Sequence, residues 1–201
     1  RAMPGLYISL TCLAIYSMSQ QVYMPYLIIY IQRFLGITDY VVLLGSVLIL
    51  SSVISVLMGK VVDKYGKLTC IVPAAVVGIL GLVLMYLARA QWFVAVAGIV
   101  MLGGGMVVSA CCQGLIRDHT PEGKAGLFQG IRILFQVLIP MVTGPFIGVA
   151  VIRNTGMTYE DLGTVKQVPT AEIFLAAAVV LVLLFVPVKL LKKREAAKGA
   201  N

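Results

Sequence analysis

Two polar stripes and one charged turn contain the side chains whose types and spacing suit chemistry. Tyr16, Gln20 and Tyr23 stand at i, i+4 and i+7, on one face of a helix, with Gln21 adjacent and Tyr26 and Tyr30 further on. Their amide and phenol groups offer hydrogen bonds and aromatic faces to a neutral polar solute such as a sugar. The competing expectation is a bond to a neighbouring helix for mid-span Gln20 and Tyr23, and a place in the interfacial belt for Tyr7 and Tyr30. The second stripe is Gln129, Arg132 and Gln136. A guanidinium about one turn inside an apolar run must find a carboxylate, a carbonyl or water. Pairing of Arg132 with Asp118 or Asp63, as a gate at the inner mouth, is expected ahead of direct anion binding. The charged turn is Gly59-Lys60-Val61-Val62-Asp63-Lys64-Tyr65-Gly66-Lys67, between two long apolar runs. Asp63, just past a helix carboxyl end where the macrodipole disfavours an anion, needs a cationic side chain or another helix's amino end. Gly59 would allow close helix approach and Gly66 a left-handed turn.

The remaining reactive groups point away from enzymatic chemistry. His119, the sole histidine, falls in a loop, and Cys12, Cys70, Cys111 and Cys112 have no metal-ligand spacing. Gly103-Gly104-Gly105 follows no strand and precedes no lysine-serine or lysine-threonine pair, so it reads as a site of close helix packing rather than a phosphate loop. All eight acids lie in loops or at the ends of apolar runs, Glu172 and Asp63 nearest the membrane. No catalytic residue, metal or cofactor is expected.

The elements that must carry these residues are membrane spans. The chain is 60% hydrophobic and 12% charged, with a mean hydropathy of +1.00, far more apolar than a soluble domain of its length. Six runs, 6–31, 40–59, 68–88, 92–116, 127–151 and 173–191, are each long enough to cross a hydrocarbon layer of ~30 Å at ~1.5 Å per residue. The expected fold is an all-α membrane bundle of six transmembrane helices in a single unit, 1–201, with a basic tail at 192–201. The net charge of +8 does not signal nucleic acid, because the basic residues sit between and after the apolar runs. Arg1 in place of methionine, with no cleavable signal peptide, reads as a start inside a longer protein.

Six crossings leave both ends on one side. That side would hold Arg1, Lys60, Lys64, Lys67, Arg117, Lys124, Arg132, Lys189, Lys192, Lys193, Arg194 and Lys198, against Arg33, Arg89, Arg153 and Lys166 opposite. The bias makes the first side cytoplasmic. Trp92 suits an interfacial anchor, and the longest outer loop, 152–172, is expected to be mobile rather than a small cap.

The pattern G-x-x-x-D-[RK]-x-G-[RK], carried by Gly59, Asp63, Lys64, Gly66 and Lys67, resembles the cytoplasmic loop signature of the major facilitator superfamily of secondary transporters. Where that family often continues with a further basic residue, this chain has Leu68. The segment from Arg117 and Asp118 through Thr120-Pro121-Glu122 to Arg132 is similar to the matching loop late in a major facilitator half. Thr120, Pro121 and Glu122 there read as a helix start.

The resemblance implies one six-helix half of such a transporter, with solute held between two pseudo-symmetric halves near the bilayer midplane and moved by alternating access. The fourth span lacks the intramembrane arginine often found in the first half, and the basic tail looks terminal, so this chain resembles the second half. The implied partners are the absent first half, the lipid bilayer and a small-molecule substrate. The buried acid by which the family commonly couples to protons is missing here, so a coupling ion would be handled by the absent half, and uniport stays open. Gln20, Tyr23 and Gln136, with Tyr16, are the expected solute contacts. Gly59, Asp63, Lys64, Gly66, Lys67, Arg117, Asp118 and Arg132 are the expected cytoplasmic latch. Pro140-x-x-x-Gly144-Pro145-x-x-Gly148 should kink the fifth span and offer a small-residue face. It faintly resembles an antiporter motif, with Pro140 and Val149 where glycines are usual. The location implied is a plasma membrane, such as a bacterial inner membrane, with both ends of the segment cytoplasmic. A half-size carrier or channel assembled from copies of this chain is the alternative, and a membrane enzyme is disfavoured by the absence of a buried nucleophile, base or metal cluster.

Overall fold

In hydrocarbon each backbone N–H and C=O must be satisfied within its own segment, so long apolar runs fold as helices. The computed structural model describes residues 4–121, 125–152, 156, 158–161 and 163–199. Arg1, Glu122, Lys124 and Arg153, to which the sequence assigns a membrane side or a capping role, lie outside these, as does the side chain of Lys198.

Helix α1 (Pro4–Tyr23) passes through a tight 3-10 turn (Met24–Tyr26), a short α2 (Leu27–Ile29) and a π-helical turn (Tyr30–Phe34). Pro25 starts the tight turn because it has no N–H to give to the helix before it. Next come α3 (Tyr40–Tyr65), α4 (Lys67–Leu87), α5 (Gln91–His119) and α6 (Ala125–Ile133), then a π-helical turn (Leu134–Leu138) that leads into α7 (Ile139–Ile152). Strands β1 (Thr158–Asp161) and β2 (Thr164–Gln167) form an antiparallel hairpin, and α8 (Glu172–Val182) and α9 (Phe185–Gly199) complete the chain.

Among the described residues, five stretches are long and apolar enough to cross a membrane: Tyr40–Tyr65, Lys67–Leu87, Gln91–His119, Phe128–Ile152 and Glu172–Ala197. The stretch expected at 6–31 is not one of them, because Ser9, Ser17, Ser19, Gln20 and Gln21 dilute its hydropathy and Pro25 interrupts it. Yet α1 packs against α5, α7, α8 and α9. Two of its serines bond inside the protein: Ser9 Oγ donates to the Gly5 carbonyl at 2.9 Å, and Ser19 Oγ to the Ala177 carbonyl of α8 at 2.7 Å. The helix begins beside His119, which a methyl on Gly5 would strike, and its continuation ends where Tyr30 stacks on Phe34 under the Arg89 guanidinium. Gly5 and Glu195 both lie against His119, so the first and last described helices share one end of the bundle.

The tightest seam joins α4 to α5. A Cβ on Gly104 would fall 2.6 Å from the Gly78 nitrogen, and one on Gly81 would overlap the Met101 backbone, so the two helix backbones touch through glycine. Helix α3 buries Leu43, Val47 and Ser51 and leaves Val42, Ile49, Val53, Val56 and Leu57 exposed.

Three boundaries differ from expectation. The second span continues past Gly59 to Tyr65, because Lys60, Asp63 and Lys64 are helix-compatible residues whose charge marks water but not a helix end. The 152–172 connection forms the β1–β2 hairpin instead of an unstructured loop: Gly163 at φ +77° makes the turn, and Thr158, Tyr159, Thr164 and Val165 favour extended backbone. The last span breaks at Leu183 and Leu184, since Pro187 has no N–H to give the Leu183 carbonyl.

Candidate functional site

The charged residues gather at the bundle end that holds Gly5 and Glu195. Helix α3 reaches this end with Asp63 and Lys64 exposed in its last turn, Lys64 Nζ lying 5.4 Å from the Tyr65 ring centroid. Gly66 at φ +88° reverses the chain, and its N–H closes on the Val62 carbonyl at 2.9 Å. Lys67 then opens α4, and its Nζ donates to both carboxylate oxygens of Asp118 near the end of α5, at 2.7 and 2.6 Å. Gly114, one turn before Asp118, makes room for the Lys67 stem, whose Cδ would lie 2.7 Å from an added Cβ. The two charged segments of the sequence therefore meet in one ion pair.

A second clasp lies beside it. His119 Nδ1 lies 2.7 Å from the Leu115 carbonyl and Nε2 lies 3.1 Å from a Glu195 carboxylate oxygen, so the ring ties α9 to α5. Thr120 follows the last residue of α5 and its hydroxyl donates back to the Ile116 carbonyl at 2.6 Å; the helix start expected at Thr120-Pro121-Glu122 runs into residues outside those described.

The pairing expected for Arg132 is corrected. Asp118 is held by Lys67, and Asp63 is exposed with no ion pair among the described residues. Arg132 faces a cavity of about 240 Å³ bounded by Gln113, Arg117, Thr120, Phe128 and Gln129, and its Nε is buried with no hydrogen-bond partner among those residues. A buried donor left unpaired costs on the order of 1–3 kcal/mol. Gly59, expected to support close packing, has nothing within 4 Å of where a Cβ would sit.

The polar stripe of α1 divides. Tyr16 is 5% exposed, with its hydroxyl directed at Gly105 of α5, and Tyr23 is 4% exposed, its ring 5.7 Å from that of Phe174. Both fill helix interfaces. Gln20 is half-buried and lies beside the Tyr23 hydroxyl. Gln136 is half-buried in the π-helical turn, which packs against α1. That turn ends two residues before Pro140, whose missing N–H leaves the Gln136 carbonyl without its usual donor.

Pro140, Gly144 and Gly148 form the buried face of α7. A Cβ on Gly144 would collide with Gln21, and one on Gly148 would come 2.5 Å from the Tyr26 ring; the Tyr26 hydroxyl donates to the Pro145 carbonyl at 3.3 Å. The small-residue face thus seats α7 on α1.

The family model described as Major Facilitator Superfamily matches residues 9–201, which takes in both charged segments and every helix but the first turn of α1. The chain belongs to the Major Facilitator Superfamily. No curated protein matches it. Because members of this family are transporters, this Major Facilitator chain is a multi-pass membrane protein that serves transport. The Lys67–Asp118 and His119–Glu195 pairs escaped the sequence reading, although Lys67 and Asp118 were each expected in the latch. The one available signal was that Lys67 opens a helix and Asp118 ends one, each beside a terminus of unfavourable sign for its charge.

Proposed function

We propose that the chain is the second six-helix half of a Major Facilitator transporter that carries a small polar solute by alternating access, with an absent first half as its partner. The observation that carries this reading is the family match along 9–201, which spans the two charged segments that Lys67 and Asp118 join. Support for α1 as a sixth crossing comes from its burial among four helices and from Gly5 and Glu195 sharing one end of the bundle. Exposed apolar residues of α3 give the other half or lipid a surface to cover. The charged end is assigned to the cytoplasm by its excess of lysine and arginine.

Gln20 and Gln136, half-buried on adjoining elements, are the solute contacts; Tyr16 and Tyr23 back them from the helix interfaces. Asp63 and Lys64, exposed at the end of α3, engage the opposite half when the inner mouth closes, and the Lys67–Asp118 clasp holds the hairpin that presents them. No covalent step is involved. The test is uptake by the intact protein in proteoliposomes, screened across neutral and charged polar solutes. Saturable accumulation that Gln20→Ala and Gln136→Ala weaken through a raised KM is expected. Conversion of a solute to a chemically new product would replace transport with catalysis.

A further inference from the structure

We infer that the cavity between the end of α5 and α6 is a binding site for a phosphate-type oxyanion, whichever solute the chain carries. It is a half-open cavity of about 240 Å³, ample for a tetrahedral oxyanion with some of its water. Its wall brings together two guanidiniums, Arg117 and Arg132, and two carboxamides, Gln113 and Gln129, with Phe128 closing one side. Among the described residues that line it there is no carboxylate.

Two acids at this end of the bundle are already engaged. Asp118 is held by both contacts from Lys67 and Glu195 by His119, and neither Arg117 nor Arg132 has an ion pair among the described residues. Like charges converging on one cavity raise its energy unless an anion enters. An independent sign is that Arg132 Nε is buried without an acceptor, while the cavity opens beside it. A guanidinium presents its donors in a fork that matches two oxygens of a phosphate, so the unmet Nε asks for that geometry rather than for a spherical ion.

The other groups sort by what they can give. Thr120 is spent, its hydroxyl proton directed to the Ile116 carbonyl. Gln113 uses one amide hydrogen on Ser109 Oγ at 3.1 Å and retains the other. The carboxyl end of α5 opposes an anion, and Arg117 at that end offsets it. The occupant is therefore held by side chains and not by a helix dipole. Free phosphate and the phosphate of an anionic lipid headgroup share this chemistry.

The test is thermal unfolding of the intact, delipidated protein in neutral detergent, with phosphate titrated against chloride at matched ionic strength. A specific ligand raises Tm along a saturating curve. We expect that curve for phosphate and not for chloride, with the apparent affinity falling about tenfold or more in Arg132→Gln and in Arg117→Gln and unchanged in Lys193→Gln, an exposed cation on α9 lost for the same change in charge. In nanodiscs, phosphatidylglycerol abolishes the phosphate response if a headgroup is the occupant, and leaves it intact if the occupant is soluble. Equal responses to phosphate and chloride in the unaltered protein would overturn the inference, and this comparison needs no variant to fold. So would equal phosphate responses in Arg132→Gln and Lys193→Gln. Because binding is read without transport, failure here leaves the proposed transport untouched, and failure of transport leaves this site standing.

Discussion

Lys67 and Asp118, fifty-one positions apart, meet at 2.6 Å and fasten the first turn of α4 to the last turn of α5. The pair sets the two charged segments at one end of the bundle. Its side chains are 31% and 50% exposed, so water screens much of the attraction. Its worth to stability is correspondingly small.

A double-mutant cycle with Lys67→Ala and Asp118→Ala should yield a coupling of about 0.2–1 kcal/mol in unfolding free energy. Transport should fall by more than so small a coupling explains, because the pair holds the hairpin that bears Asp63. Exchange of the two charges, Lys67→Asp with Asp118→Lys, should restore part of the rate. A rate indifferent to both single changes would remove the pair from the mechanism.

Asp63 touches no partner among the described residues, so Asp63→Ala should leave Tm unchanged while slowing transport. Uptake at the original rate would end its role as a latch. A lowered Tm would show instead that Asp63 supports the fold.

Two glycines should part company. Gly104→Ala drives a methyl to within 2.6 Å of the Gly78 nitrogen, a backbone atom with little room to move, and should cost about 1–3 kcal/mol. Gly59→Ala enters open space inside α3 and should be neutral or stabilising by roughly 0.5–1 kcal/mol. Equal shifts in Tm for the two variants would mean that α4 and α5 do not meet at these residues.

How much of this was legible from residues alone follows from what each signal measures. Hydropathy located α3, α4, α5, α7 and α8 because long apolar runs have one solution in a bilayer, and the two loop patterns pointed to the family that the match then established. Charge misplaced the end of α3, since Lys60, Asp63 and Lys64 extend a helix into water without ending it. Hydropathy also understated α1, whose Ser19 bonds across the bundle to Ala177. The site was less legible than the fold. Residue types singled out Lys67, Asp118 and Arg132, but the choice of Lys67 over Arg132 by Asp118 depends on Gly114 making room for the lysine stem. Pairings of that kind are decided by packing.

Helix α9 should be released by His119→Ala, which removes the ring that bridges the Leu115 carbonyl and Glu195. Limited trypsin digestion at Lys192, Lys193 or Arg194 should then run several-fold faster, with the bundle otherwise intact. Digestion at the original rate would show that the clasp does not restrain α9.

The most direct test of the account is the side of the membrane at which each end of the bundle lies. In a background with Cys12, Cys70, Cys111 and Cys112 replaced, single substitutions Tyr65→Cys, Arg117→Cys and Lys193→Cys should react with an impermeant maleimide from one side of the membrane only. Trp92→Cys and Val165→Cys should react only from the other. Labelling of Tyr65→Cys and Arg117→Cys from opposite sides, or of Lys193→Cys from the same side as Trp92→Cys, would contradict it.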